Sequence, residues 1–247
     1  MEQRHDDNSV VSSEASDYDA LRNVTEETPC PYLPGRSMRS EVYVVGRLSG
    51  AMHESLLARG FRRSGNIVYR PRCRGCGECR QFRLPIAQFR PSKSMRRVWR
   101  KNVDIRVEVA EPTITPEKHD IFKRYLDGQH DSTIDRSQES FRAFLYGSPT
   151  ETIEFTYLLG DRVVGVSITD VCPNGLSSVY MYFDPDFAAR SLGTFSILRE
   201  IEHCRSANLA YYYLGFYVAQ SKTMDYKSRF RPNQVLVAEG RWLSFCE

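Results

Sequence analysis

The fold is decided by residues 152–218, which read TIEFTYLL (152–159), GDR (160–162), VVGVSITDV (163–171), CPNG (172–175), SSVYMYF (177–183), LGTFSILREIEHCRS (192–206) and AYYYLGFYV (210–218). Three β-prone runs, Thr152–Leu159, Val163–Val171 and Ser177–Phe183, follow one another across Gly160-Asp161-Arg162 and Pro173-Asn174-Gly175. Gly and Asn tolerate positive φ, so each connection suits a hairpin, and the three runs read as an antiparallel meander. Leu192–Ser206 then places Phe195, Ile197, Leu198 and Ile201 on one broad apolar stripe, the pattern of a helix lying on a sheet. Ala210–Val218 returns as a strand, and Gln234–Ala238 supplies a last one.

Outward from that block, Pro116–Asp127 and Gln138–Tyr146 have helical spacing. Helix pair, meander, long helix, strand is the element order of an N-acetyltransferase-like α+β fold, whose sheet splays beside a central helix. Further upstream the pattern predicts a strand at Glu41–Val45, a helix over Ser49–Arg59 ended by Gly60, and a strand at Asn66–Arg70 stopped by Pro71. A cysteine-rich turn at 73–79, a strand Gln81–Ile86, a helix Lys93–Asn102 and a strand Asp104–Ala110 follow. The expected organisation is α+β: an acidic lead (1–27), a small Cys-rich N-terminal α/β unit (28–112) and the acetyltransferase-like domain (113–247). No internal repeat is visible.

The chain has 247 residues, 41% hydrophobic and 26% charged. No apolar run approaches the ~18 residues of a membrane span, and MEQRHDDNSVVSSEASDYD offers no apolar core for a secretory signal. Seven cysteines, an odd number, do not suit a secreted disulfide scaffold, so a reduced cytoplasmic protein is expected. The net charge of +3 conceals strong segregation. Residues 1–29 hold eight acids against Arg4 and Arg22, whereas Arg59–Arg106 holds fifteen Lys and Arg against Glu78 and Asp104. An acidic, Ser-rich lead poor in large apolar groups cannot offset its ordering entropy and reads as disordered. The basic stretch is interleaved with Phe61, Tyr69, Phe82, Phe89 and Trp99, which favours a surface for a polyanion.

Cys73, Cys76 and Cys79 put three thiols on one turn, and Cys30 stands ready as a fourth. Thiolates select zinc or an iron–sulfur cluster, and the spacing does not choose between them. Arg70, Arg72, Arg74, Arg80 and Arg83 surround that turn. A guanidinium facing a pocket requires a carboxylate or phosphate partner, so the set suits an acidic ligand or an internal acid. Acyl-CoA enzymes of this fold cradle the pyrophosphate on a loop of form Arg/Gln-x-x-Gly-x-Gly/Ala before the central helix. Here the run is Arg190-Ser191-Leu192-Gly193-Thr194-Phe195, and the ring of Phe195 is expected to crowd a phosphate. Downstream, Lys222–Pro232 packs charge and aromatics into one loop at a strand end, where folds of this kind keep their chemistry.

Cys30-Pro31-Tyr32-Leu33-Pro34, Gly60-Phe61-Arg62-Arg63-Ser64-Gly65, Tyr69-Arg70-Pro71, the Cys73/Cys76/Cys79 run, Pro91-Ser92-Lys93-Ser94 and Lys222–Pro232 together resemble the bacterial aspartate/glutamate leucyltransferases. These are relatives of the eukaryotic arginyl-tRNA–protein transferases, and the resemblance spans about 28–245. It implies an enzyme that passes an amino acid from aminoacyl-tRNA to the α-amine of a protein beginning with Asp or Glu, marking it for N-degron proteolysis. Leucine is the implied donor; arginine, or a CoA-dependent acetyl transfer, is the alternative. The eukaryotic relatives space their cysteines differently, so no metal is carried over. An aminoacyl ester is already activated, so no cofactor is required for the chemistry. On that reading Arg70, Arg80 and Arg83 take the acceptor carboxylate. Lys222, Tyr226 and Lys227 stand near the reacting ends, and Lys93, Arg96, Arg97, Arg100 and Lys101 grip tRNA phosphates, so transfer should weaken steeply with salt.

Overall fold

A computed structural model describes residues 23–129, 134–221 and 223–245; the acidic lead as far as residue 22, Lys222 and Cys246 lie outside the described residues. The N-terminal part folds as short strands β1 (Asn23–Val24), β2 (Thr28–Pro29), β3 (Ser37–Met38) and β4 (Ser40–Val44), helix α1 (Gly50–Ala58), and strands β5 (Arg62–Ser64) and β6 (Ile67–Pro71). Ser49 caps α1 by accepting from the Met52 amide at 3.2 Å, and Gly60, at φ +86°, turns the chain out of the helix. A four-stranded antiparallel sheet in the order β1-β4-β6-β5 packs Tyr43, Val45, Leu48, Phe61 and Val68 into its own small core.

The rest builds one large sheet. Its elements in chain order are β7 (Arg80–Pro85), α2 (Lys93–Lys101), β8 (Ile105–Ala110), α3 (Pro116–Gln129) and α4 (Gln138–Phe141), which runs into a π turn (Arg142–Tyr146). Then come β9 (Thr152–Leu159), β10 (Arg162–Cys172), β11 (Gly175–Phe183), α5 (Leu192–Ser206), β12 (Tyr211–Tyr217), β13 (Gln234–Ala238) and β14 (Arg241–Ser244). The eight strands lie in the order β14-β13-β7-β12-β11-β10-β9-β8. The expected meander is therefore present as β9–β11, with α5 and β12 following as the apolar stripe implied.

The N-terminal unit is less separate than the sequence suggested. β7 and β8, taken from the stretch before residue 112, are strands of the large sheet. Phe82 and Leu84 of β7 are fully buried in the core under α5, beside Tyr212. Such a strand gains from burial only by inserting beside β12, a pairing across about 130 residues that local pattern does not reveal. β5 was not anticipated either, because Arg-Arg-Ser shows no apolar alternation.

Period-two alternation sorts the layers. Ser167 of β10 and Tyr212 of β12 face α5, while Val166 and Ile168 face α3 and the π turn. On that second face Leu57 of α1 meets Cys172 and Tyr213, joining the N-terminal unit to the sheet. Among the described residues no helix is long and apolar enough to cross a membrane.

Candidate active site

β11 and β12 are parallel neighbours over three residues only, Gly175–Ser177 against Tyr211–Tyr213. Beyond that point β11 follows β10 and β12 follows β7, so the sheet splits beside α5. The split is where the chemistry-bearing side chains gather. Arg62 enters it from β5: Nη1 donates to Ser177 Oγ at 2.9 Å and Nη2 to the Ser178 carbonyl. Gly215, at φ +82°, makes this possible, since a Cβ there would stand 3.2 Å from the Arg62 Cζ. Burial lowers the Arg62 pKa, yet a guanidinium stays charged in a protein, so the floor of the split carries a fixed cation.

Lys227, from the 3₁₀ turn Asp225–Arg229, is buried close to that cation. Its Nζ donates to the Phe216 carbonyl at 2.5 Å and lies 3.2 Å from Met224 Sδ. Burial, helped by the nearby Arg62, pulls its pKa from the usual lysine value down to about 7. An amine in this state donates to a carbonyl while its lone pair remains free to accept a proton. Beside it Tyr226 keeps 37% of its surface exposed, but burial of the hydroxyl end, with Tyr125 and Glu200 adding, pushes its pKa up to about 12. Under the split, Glu200 of α5 accepts from Ser167 at 2.6 Å and from the Tyr212 hydroxyl. Burial raises Glu200 to about 7 against those hydrogen bonds.

The expected site residues separate. Lys227 and Tyr226 are at the split; Lys222 lies outside the described residues. Arg80 begins β7 opposite Tyr217, at the open end of the split, exposed and without a charged partner among the described residues. Arg83 does not join it. Three residues apart on a strand means opposite faces, and the Arg83 guanidinium is boxed 3.7 Å from the Tyr211 ring and 4.1 Å from the Trp242 ring, with Nε donating to Gln234 at 2.8 Å. Arg70 is committed elsewhere. It and Arg72 each reach Glu41 Oε2 at 2.7 Å, and these contacts hold Glu41 near 2 against the upward push of burial. Arg62, within the Gly60–Gly65 motif, is a charged residue at the split that the sequence pattern did not single out.

The loop before α5 has no cation free for a pyrophosphate. Arg190 binds Asp104 through two bonds at 2.8 and 3.0 Å, and the Phe195 ring is turned into the core against Trp99 and Tyr157. Phe195 therefore does not crowd the loop, which corrects the expectation from sequence; the arginine that opens the loop, Arg190, is instead paired with Asp104. On α2, Lys93, Arg97 and Arg100 are exposed with no carboxylate partner among the described residues. Arg96 donates to the Pro91 carbonyl and Lys101 to the Ala189 carbonyl, each at 2.6 Å. Lys101 thus ties the end of α2 to the start of α5.

Cys30, Cys73, Cys76 and Cys79 line one cavity together with Tyr32, Tyr69 and Phe216, the residue whose carbonyl holds Lys227. Burial pushes the Cys79 thiol up to about 12, and the other three thiols add to the shift. Four sulfurs on one cavity fit zinc or an iron–sulfur centre in donor chemistry. Among the described residues, however, no three such side chains already stand in a metal-holding arrangement.

A large mixed sheet split beside a central helix, with cations at the floor and mouth of the split, defines the α+β fold of this chain. The solved structure of FemX has the same fold, with a TM-score of 0.51 at 9% identity over 77% of this chain and 67% of that one. The family model of the arginine-tRNA-protein transferase N terminus matches residues 28–97, and that of its C terminus matches 117–237. The chain belongs to the arginine-tRNA-protein transferase family. Proteins named aspartate/glutamate leucyltransferase are similar along most of its length. That of Nitrobacter hamburgensis is 40% identical over 232 residues (89% of this chain, 90% of the relative), and that of Stenotrophomonas maltophilia 39% over 230 (90% and 91%). The one from Ruegeria pomeroyi is 39% identical over 225 residues, 89% of this chain and 82% of the relative.

Proposed function

We propose that this chain transfers leucine from leucyl-tRNA to the α-amine of proteins beginning with Asp or Glu, in a reducing cytoplasm, and so creates a destabilising N-terminus. The observation that carries the reading is the cation-floored split in a chain whose relatives share the leucyltransferase name over about nine-tenths of its length. The family models carry an arginine name, but the full-length relatives carry the leucine one, which favours leucine as donor. Acetyl-CoA is disfavoured by the Arg190–Asp104 pair.

The chemistry is aminolysis of an ester. The acceptor amine, with a pKa near 7.7–8.0, is roughly one-tenth to one-sixth free base at pH 7, a usable fraction that grows as pH rises. It attacks the ester carbonyl, a C–N bond forms, the ester C–O bond breaks, and the amine's proton ends on the ribose oxygen. On this reading neutral Lys227 takes that proton and returns it to the leaving oxygen, while Tyr226 offers a hydroxyl to the developing oxyanion or to the ribose. Arg62 keeps the floor positive as negative charge develops. Arg80, at the mouth, takes the acceptor's side-chain carboxylate. Lys93, Arg96, Arg97, Arg100 and Lys101 serve the tRNA phosphates.

Transfer to peptides headed by Asp, Glu, Lys or Ala tests this acceptor assignment. Asp and Glu peptides should be modified and the others left alone. Arg80→Ala should raise KM for the Asp peptide about tenfold with tRNA affinity unchanged; an equal loss for peptide and tRNA contradicts the assignment. Cys30, Cys73, Cys76 and Cys79 are proposed as ligands of a zinc or iron–sulfur centre that ties the cysteine turn to Cys30 and takes no part in the reaction. Metal analysis of protein purified without oxygen should find it, with Cys76→Ala reducing the content. Metal-free protein with full activity would remove the centre from the account.

A further inference from the structure

Between α2 and α5, away from the split, lies a cavity of about 400 Å³ that the reaction described above does not use. This is within the usual size of a small-ligand pocket. Met95, Trp99, Leu198 and Ile201 give it an apolar floor, and Phe89 closes one end. Its rim is cationic, with Arg96, Arg100 and Arg205 around the opening. The single acid there, Glu202, pairs with Arg199 at 2.9 Å, and the Arg199 guanidinium covers one side of the Trp99 ring at 5.2 Å from its centre. Arg205 is oriented by the Phe89 carbonyl at 2.6 Å, and Arg100 has no charged partner among the described residues.

An occupant of such a groove needs a flat apolar face and negative charge beside it. Those are the two halves of a nucleotide, and base–aromatic contact with phosphate–arginine pairing is how unpaired strands are held. The place agrees with the charge. Ile201 lies nine residues along α5 from Leu192, which stands beside the split mouth, or about 14 Å at 1.5 Å per residue. α2, with its unpaired cations, spans that interval and is fastened to the start of α5 by Lys101 and by the Asn102 amide, which donates to the Arg190 carbonyl at 2.9 Å. A strand whose 3′ end reaches the split and whose body follows α2 passes over this groove.

We propose that the groove between α2 and α5 receives one unpaired nucleotide of the donor tRNA, with its base against Trp99 and its phosphate at Arg96, Arg100 and Arg205. The proposal rests on the aminoacyl-tRNA reading above. The chain has two tryptophans, so full-length Trp242→Phe protein leaves Trp99 as the only indole reporter. Uncharged leucine-accepting tRNA should change its emission saturably, and the same tRNA trimmed of its unpaired 3′ nucleotides should bind at least tenfold more weakly. Arg100→Ala, an exposed substitution, should raise KM for leucyl-tRNA about tenfold and leave KM for the Asp peptide alone. Equal responses to intact and trimmed tRNA overturn the proposal, as does leucyl transfer proceeding with Trp99 emission unaltered. A saturable response to an acidic peptide in place of tRNA would make the groove a protein-docking site and overturn it as well. Absence of leucyl transfer altogether would instead defeat the underlying reading, so the two failures are distinct.

Discussion

Lys227→Met should lower kcat for leucyl transfer by about 10²–10³-fold, with KM for peptide and for leucyl-tRNA within a few-fold of the parent. The size follows from the loss of a positioned proton acceptor, and the split between kcat and KM from a side chain acting only once both substrates are in place. The pH dependence supplies the sharper reading. Burial and Arg62 hold Lys227 at about 7, so its neutral form prevails above that value. At saturating acceptor, kcat should therefore rise as pH increases through 7, and Lys227→Met should remove that component, leaving only the later rise set by the acceptor amine near 7.7–8.0. Lys227→Arg, which keeps a charge but offers no base, should not restore it. Stability gives an independent check. A lysine whose folded pKa is depressed binds fewer protons in the native state than in the unfolded one between about 7 and the unperturbed 10.5, so its contribution worsens as pH falls through that window. Lys227→Met should then stabilise the protein more at pH 6 than at pH 9. Unchanged kcat together with an unchanged pH profile would contradict the role.

The second large effect is structural. Arg63 reaches from β5 to Asp170 of β10 through Nε–Oδ2 at 2.8 Å and Nη2–Oδ1 at 2.6 Å, with both side chains almost wholly buried. Thr152 donates to the same carboxylate at 2.9 Å, and Arg63 also meets the Gly65 carbonyl at 3.1 Å. This pair fastens the N-terminal sheet to the large one and fixes the strand that carries Arg62 into the split. Arg63→Leu leaves Asp170 buried without its cation and should cost about 3–5 kcal/mol, a fall in Tm on the order of 10 °C for a chain of this size. Removing the charge from both sides, Arg63→Leu with Asp170→Leu, should recover much of that loss, because the penalty lies in the orphaned carboxylate more than in the missing attraction. A single variant within 1 kcal/mol of the parent would show that the two sheets are joined mainly by Leu57, Cys172 and Tyr213.

What the sequence disclosed and what it withheld divide along a physical line. The meander, α5 and β12 were legible because burial against one face imposes a local period on residues 152–218. Charge and aromatics packed into one loop at a strand end singled out the stretch holding Lys227 and Tyr226, and that stretch lies beside the split. The partners of the arginines were not legible. Arg70 turns to Glu41 and Arg63 to Asp170, and nothing in a run of basic residues says which will find an internal acid. Arg80 and Arg83 could have been separated from sequence alone, since strand alternation sends residues three apart to opposite faces. Arg62 was hidden for a different reason: its three-residue strand has no period, and the gap it fills exists only because β11 and β12 diverge far along the chain.

The central claim is that the split joins an esterified amino acid to the amine of an acid-headed chain. Incubating the full-length protein with an Asp-headed peptide and, separately, leucyl-tRNA, arginyl-tRNA or acetyl-CoA, followed by mass spectrometry of the peptide, tests it directly. The account predicts a leucine added at the N-terminus with the first donor and little or nothing with the other two. A peptide left untouched by leucyl-tRNA but acetylated by the thioester would contradict it.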